Sequence, residues 1–107
     1  IGAFANSGQV CISLQRIYVD EKIYEEFANE LGKEAAKLKV GSPFEEDTFM
    51  GPLINEEAAI RAENWINSAV SEGARIIAGG KRKGNILAPT ILADVTDNMN
   101  VVCEEVF

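Results

Sequence analysis

Histidine is absent from the 107 residues, and cysteine occurs only twice, at Cys11 and Cys103. A zinc site built within this chain is thereby excluded, and no metal ligands are assigned. Two cysteines so far apart give no disulfide framework, and Cys11 is not expected to pair with Cys103. Unpaired thiols fit a reducing compartment, so a cytoplasmic location is expected. Basic residues are also short, with 10 Lys and Arg against 17 Asp and Glu and a formal charge of −7. Such a chain cannot neutralise a run of phosphates, and no nucleic-acid partner is expected. The one cationic cluster, Lys81-Arg82-Lys83, lies in a glycine-flanked turn and reads as a solubilising surface. No apolar run approaches the ~20 residues that span a bilayer, and no basic stretch followed by an apolar one opens the chain. No membrane partner is expected.

What is present centres on Phe4 to Arg16, FANSGQVCISLQR. Cys11 follows a polar Asn6-Ser7 turn signal and Gly8, whose missing Cβ lets the backbone turn sharply. The apolar residues after it predict a helical turn from Ile12 passing into a short strand at Ile17 to Val19. At a loop-to-helix start, free N–H groups and the positive end of the helix dipole favour a thiolate, which is a nucleophile. The same N–H groups can hold an oxyanion. The plainer reading of a lone cysteine is a small buried apolar group, and Cys103 is read that way.

The order of Asn6, Gly8, Gln9 and Cys11 resembles the catalytic-cysteine segment of the aldehyde dehydrogenase superfamily. Ser13 departs slightly from that pattern but is still small. Met50-Gly51-Pro52-Leu53-Ile54 and the string APTILADV are further points of resemblance, to which no function is assigned. Glu104-Glu105-Val106-Phe107 resembles the family's Glu-Glu-(Ile/Val)-Phe segment. The resemblance implies Cys11 as nucleophile toward a small-molecule aldehyde. Glu105 would accept hydrogen bonds from the nicotinamide ribose of NAD or NADP, and Phe107 would pack beside that ribose. A carboxylate facing a diol fixes where a hydride acceptor sits. Val10 and Ile12 flank the thiol and would give the substrate pocket an apolar wall.

The remaining segments read as local structure. Asp20 caps a helix from Glu21 to about Lys39, with Ile23, Phe27, Leu31, Ala35 and Leu38 as its core stripe. Gly41-Ser42-Pro43 ends it. Asn55 offers the cap of a second helix running to about Glu72, with Ala59, Ala62, Ile66, Ala69 and Val70 buried and Gly73 just past its end. Trp65 flanks that stripe. Arg75 to Ala78 predicts a strand bounded by Gly79-Gly80, and Pro89 predicts an edge strand or a break in Ile86 to Val95. Gly79-Gly80 precedes a turn and no helix, so it is not a phosphate cradle.

The expectation is therefore an α/β fold: a small, mostly parallel sheet with flanking helices and a right-handed crossover. On the resemblance, residues 1–107 form part of the aldehyde dehydrogenase catalytic domain, with the cofactor-binding domain absent from this chain. The start at Ile1 without Met and the stop at Phe107 read as an excerpt. The parent would be a homodimer or homotetramer that oxidises an aldehyde through a thiohemiacetal and a thioester. The excerpt alone would be inactive, because a second oxyanion donor and the water-activating glutamate lie outside it. The alternatives are a coenzyme A-acylating or acyl-phosphate-reducing member of the superfamily, or a non-catalytic binding domain with a buried cysteine.

Overall fold

Helix propensity and capping place the two long helices where the sequence puts them. In the computed structural model, which describes residues 1–107, Asp20 Oδ1 accepts from the Lys22 N–H at 2.9 Å and starts a 3-10 turn, Glu21–Ile23. Helix α1, Tyr24–Ala36, follows directly. Helix α2, Glu56–Ser71, begins at Asn55, whose Oδ1 accepts from the Ala58 N–H at 2.8 Å. Such a cap contributes about 1 kcal/mol. Glu56 and Glu57 fill the first turn, at the positive end of the dipole. Gly73, at φ +113°, ends the helix as a left-handed residue.

The sheet differs from the expectation of mostly parallel strands. Strand β1, Arg75–Ala78, pairs antiparallel with β4, Ile91–Ala93, and β2, Arg82–Lys83, pairs antiparallel with β3, Ile86–Leu87. The only parallel feature is an isolated bridge between Val40 and Met50. The α/β character holds, but the crossover does not, because β1 finds its partner through the hairpin-like return across Pro89. That proline separates β3 from β4, as its missing N–H requires. The strand predicted at Ile17 to Val19 is irregular backbone. No strand of this chain lies beside it, and strand propensity without a pairing partner makes no sheet.

Burial follows the small residues more than the large ones. Only 13 of 107 residues are buried, and no polar side chain is among them. A cluster of Ala69, Ala74 and Met99, flanked by Leu92, Val101 and Val102, joins the end of α2 to the short helix α3, Asn100–Cys103. On α2, Ala59, Ala62, Ile66 and Ala69 are buried as the periodicity predicts, while Val70 is exposed. On α1 the predicted stripe holds in part: Ala35 is buried and Leu31 half-buried, but the other buried residues are Ala28 and Gly32, while Ile23, just before the helix, is 51% and Phe27 37% exposed. At Gly32 a Cβ would meet Ile77 Cγ2 at 2.7 Å, so α1 rests against β1 through its smallest residues. Its larger ones face an open apolar groove of about 610 Å³.

Polar contacts tie these elements together. Arg75 on β1 reaches Glu25 of α1 at 2.7 Å and pairs with Asp94 beyond β4. Tyr24 donates its hydroxyl to Asp94 Oδ1 at 3.1 Å and accepts the Asp94 N–H at 2.8 Å. Hydrogen bonding from Arg75 holds the Asp94 carboxyl below the usual carboxylate range, with help from Tyr24. A depressed carboxyl pKa contributes stability above its unfolded value of about 3.9, and that contribution disappears as pH falls through the folded value. The urea midpoint of Asp94→Asn should therefore lie below that of the unmodified protein at pH ~7, and the two should converge as pH falls through the folded-state value. A gap that persists at acid pH would show that charge is not what Asp94 supplies. Arg82, read above as solubilising, is instead half-enclosed, donating to Glu63 at 2.7 Å and to the Gly84 carbonyl at 2.7 Å.

Candidate active site

Phe4 to Ser13 folds as a tight loop and not as the entry to a helix. After a 3-10 turn, Ala5–Gly8, the chain makes a turn in which the Ser13 N–H donates to the Val10 carbonyl at 2.9 Å. Cys11 and Ile12 are the two central residues of that turn. The helix predicted from Ile12 is absent, so the dipole invoked for the thiol is absent with it. The Leu14 N–H donates to the Gly2 carbonyl at 3.2 Å, and the chain then runs without regular structure to Asp20, where the next helical turn begins. The rest of the arrangement suits an exposed nucleophile. Cys11 is exposed and unbridged, and its N–H and that of Ile12 have no acceptor within the chain. Two adjacent free N–H donors of this kind can hold an anionic oxygen.

The turn is held from behind. Asn6, Ser7 and Gly8 all have left-handed backbones, at φ 50°, 59° and 77°. Only Gly8 takes this freely, and Asn6 tolerates it. Asn6 Nδ2 donates to the Gln9 carbonyl at 3.2 Å, and the Ser7 hydroxyl donates to the Gly51 carbonyl at 2.9 Å. Ser13 Oγ donates to the Ala3 carbonyl at 3.2 Å, so its small size serves a hydrogen bond inside the loop.

Val10 is half-buried and Ile12 is 87% exposed, one on each side of the thiol. The other two candidates, Glu105 and Phe107, lie on the segment without regular structure after α3, where Phe107 has a left-handed backbone at φ 42°. Glu105 is exposed and enters none of the ion pairs, which leaves both carboxylate oxygens free to accept. Phe107 is 49% exposed. It lines the apolar groove together with Ile1, Phe4, Gly8 and Ser13, the flank of the Cys11 loop. Cys11, Val10, Ile12 and Glu105 do not line that groove.

Arg61 is a feature that sequence periodicity did not single out. Its guanidinium lies 5.2 Å from the Trp65 ring centroid and donates to the Val106 carbonyl at 2.7 Å. The carbonyl between Glu105 and Phe107 is thus pinned to α2. Cys103 was expected to be buried and is exposed, with its sulfur 3.9 Å from the Asn98 carbonyl. Helix α3 spans one turn, and Val101 and Val102 take its core-facing positions.

The sequence profile described as the aldehyde dehydrogenase family matches residues 1–107. The chain is 51% identical to a 3-sulfolactaldehyde dehydrogenase of Priestia aryabhattai over 98% of its own length and 22% of that protein's. An aldehyde dehydrogenase from Bacillus cereus, solved as an NAD+ complex, superposes with a TM-score of 0.91 at 39% identity, covering 99% of this chain and 22% of that one. A glyceraldehyde-3-phosphate dehydrogenase from Methanocaldococcus jannaschii in complex with NADP gives 0.90 at 39% identity, covering 98% and 23%. The chain thus spans about a fifth of the length of the relatives it matches.

Proposed function

The chain belongs to the aldehyde dehydrogenase family, and on that premise we propose that it is the thiol-bearing part of the catalytic domain of an enzyme that oxidises an aldehyde to a carboxylic acid. The observation that carries this reading is an exposed thiol on a turn whose own N–H groups are unclaimed. As thiolate, Cys11 adds to the aldehyde carbonyl carbon, and the carbonyl oxygen becomes an oxyanion that its backbone N–H can hold. Val10 and Ile12 offer apolar contact to the substrate on either side. The carboxylate of Glu105 would hold the ribose diol of NAD or NADP, with Phe107 packed beside it and Arg61 keeping their shared backbone in place. The dinucleotide, when bound, supplies the hydride acceptor that converts the thiohemiacetal on Cys11 into a thioester. Hydrolysis of that thioester, or its transfer to coenzyme A in an acylating enzyme, falls to groups elsewhere in the whole protein.

The free carboxylate of Glu105 and the half-exposed ring of Phe107 fit such a group. A ribose diol needs two acceptor oxygens with no competing cation, and no Lys or Arg pairs with Glu105.

The test is aldehyde-dependent formation of NAD(P)H by the full-length protein that contains this chain. Iodoacetamide should abolish it with stoichiometric labelling of the Cys11 peptide, and saturating aldehyde should protect. The 107 residues alone should give no turnover, because one oxyanion donor lost already costs ~10²–10³ in rate and this chain lacks more than one part. Full activity with Cys11 completely alkylated would remove the assignment.

A further inference from the structure

Gln9 is the one side chain that joins the thiol loop to the body of the fold from both ends of its functional group. Its Oε1 accepts the Ile54 N–H at 2.8 Å. Its Nε2 faces the carbonyls of Asn6 at 3.3 Å and Pro52 at 3.5 Å. The Ile54 N–H requires an acceptor and the two carbonyls require a donor, so one orientation of the carboxamide satisfies all three. The segment it grips is itself fixed. The Leu53 N–H donates to the Asn85 carbonyl at 2.8 Å, Asn85 Nδ2 donates to the Leu53 carbonyl at 3.3 Å, and Leu53 is buried. Two residues later Asn55 caps α2. Residues 51–54, to which the sequence assigned no role, therefore form a rigid strap between the β2–β3 turn and the Cys11 loop, with Ser7 holding its near end at Gly51.

We infer that Gln9 is a positioning residue for the Cys11 nucleophile, its carboxamide clamping the thiol loop to the 51–54 strap. The inference rests on the proposed role of Cys11. Only Val10 separates Gln9 from Cys11, and the segment before Gln9 is left-handed at three successive residues. Such a backbone persists only while its surroundings over-determine it. Without the clamp the turn relaxes and the sulfur leaves the position from which it meets a carbonyl. A displacement near 1 Å costs ~10²-fold in rate.

The full-length protein tests this with two variants. Gln9→Met keeps the length and removes every hydrogen bond; it should lower kcat ~10²-fold while the KM for the dinucleotide stays within about twofold, because nothing in the clamp touches Glu105 or Phe107. Gln9→Glu sets a carboxylate against two carbonyl oxygens at neutral pH. Once protonated, the acid donates through one oxygen and accepts at the other, as the amide does. Its kcat relative to the unmodified enzyme should rise as pH falls from about 8 toward about 5, a recovery that a purely structural role would not produce. Gln9→Met retaining kcat within about threefold overturns the clamp. If Gln9→Met does not fold, a flat ratio for Gln9→Glu across that pH range overturns it instead. Loss of activity in Cys11→Ser together with unimpaired Gln9 variants sinks this inference alone, whereas an active Cys11→Ser sinks the functional reading beneath it.

Discussion

Cys11→Ser in the full-length protein should lower kcat by a factor on the order of 10⁴ or more, with the KM for the dinucleotide almost unchanged. Removing a nucleophile from a covalent mechanism costs on this scale when nothing else can replace it. A serine hydroxyl needs a partner base to become reactive, and this chain offers none at the turn. Histidine is absent from it, and the Cys11 side chain has no hydrogen-bond partner to inherit. The backbone N–H groups would survive the change, so aldehyde and cofactor should still bind. Steady-state NAD(P)H formation measures the loss, and a rapid-mixing experiment should show no burst. Cys103→Ser is the matched control: Cys103 is equally exposed but caps no turn and lies on α3, where its sulfur only approaches a backbone carbonyl. A Cys11→Ser enzyme with more than about a tenth of the original kcat would mean that the thiol is not the attacking group.

The second large effect concerns the scaffold. Gly79→Ala should destabilise the protein by about 3–5 kcal/mol, the range reserved for core-level disruption. Gly79 lies directly after β1 at φ +74°. A Cβ there would overlap the Pro89 carbonyl oxygen and approach Thr90 Oγ1 within 2.7 Å. Neither neighbour can yield cheaply. Thr90 Oγ1 accepts the Gly80 N–H at 2.9 Å and donates to the Ala88 carbonyl at 2.7 Å, and Pro89 is buried at the break between β3 and β4. Relieving the overlap would move β4 away from β1. Gly73 separates this close approach from left-handed strain alone. It too has positive φ, +113°, but a Cβ there would meet nothing within 4 Å. Gly73→Ala should therefore cost only about 1 kcal/mol. Thermal midpoints of the two variants decide the matter, and equal losses would show that the approach of Pro89 is unimportant.

The legible parts of the fold were those whose causes lie within a few residues. Asn55, the acidic first turn, the alanine stripe and Gly73 place α2 and its buried face, apart from Val70, because capping and a 3.6-residue period act locally. The strand at Arg75 to Ala78 and the break at Pro89 were legible for the same reason. Ile17 to Val19 carries equally good strand residues and forms no strand, since a strand needs a second one beside it. The partly displaced stripe on α1 has a related cause: periodicity ranks Phe27 and Leu31 above Gly32, but close packing on Ile77 admits only the smaller residue. Cys103 shows the limit of composition, because its type favours burial while its place on a one-turn helix directs it outward.

The sequence by itself determined the family and the order of its local elements. Asn6, Gly8, Gln9 and Cys11 at one end and Glu104 to Phe107 at the other carry the resemblance, and short-range backbone chemistry sets the helices. Tertiary structure alone decided the antiparallel pairing of β1 with β4, the turn on which Cys11 stands, the grip of Gln9 on a strap more than forty residues away in sequence, and the tie from Arg61 to Val106. The reason is physical. A cap or a helical period is satisfied by neighbours along the chain, whereas a carboxamide or a strand edge is satisfied only by whichever backbone the completed fold brings beside it.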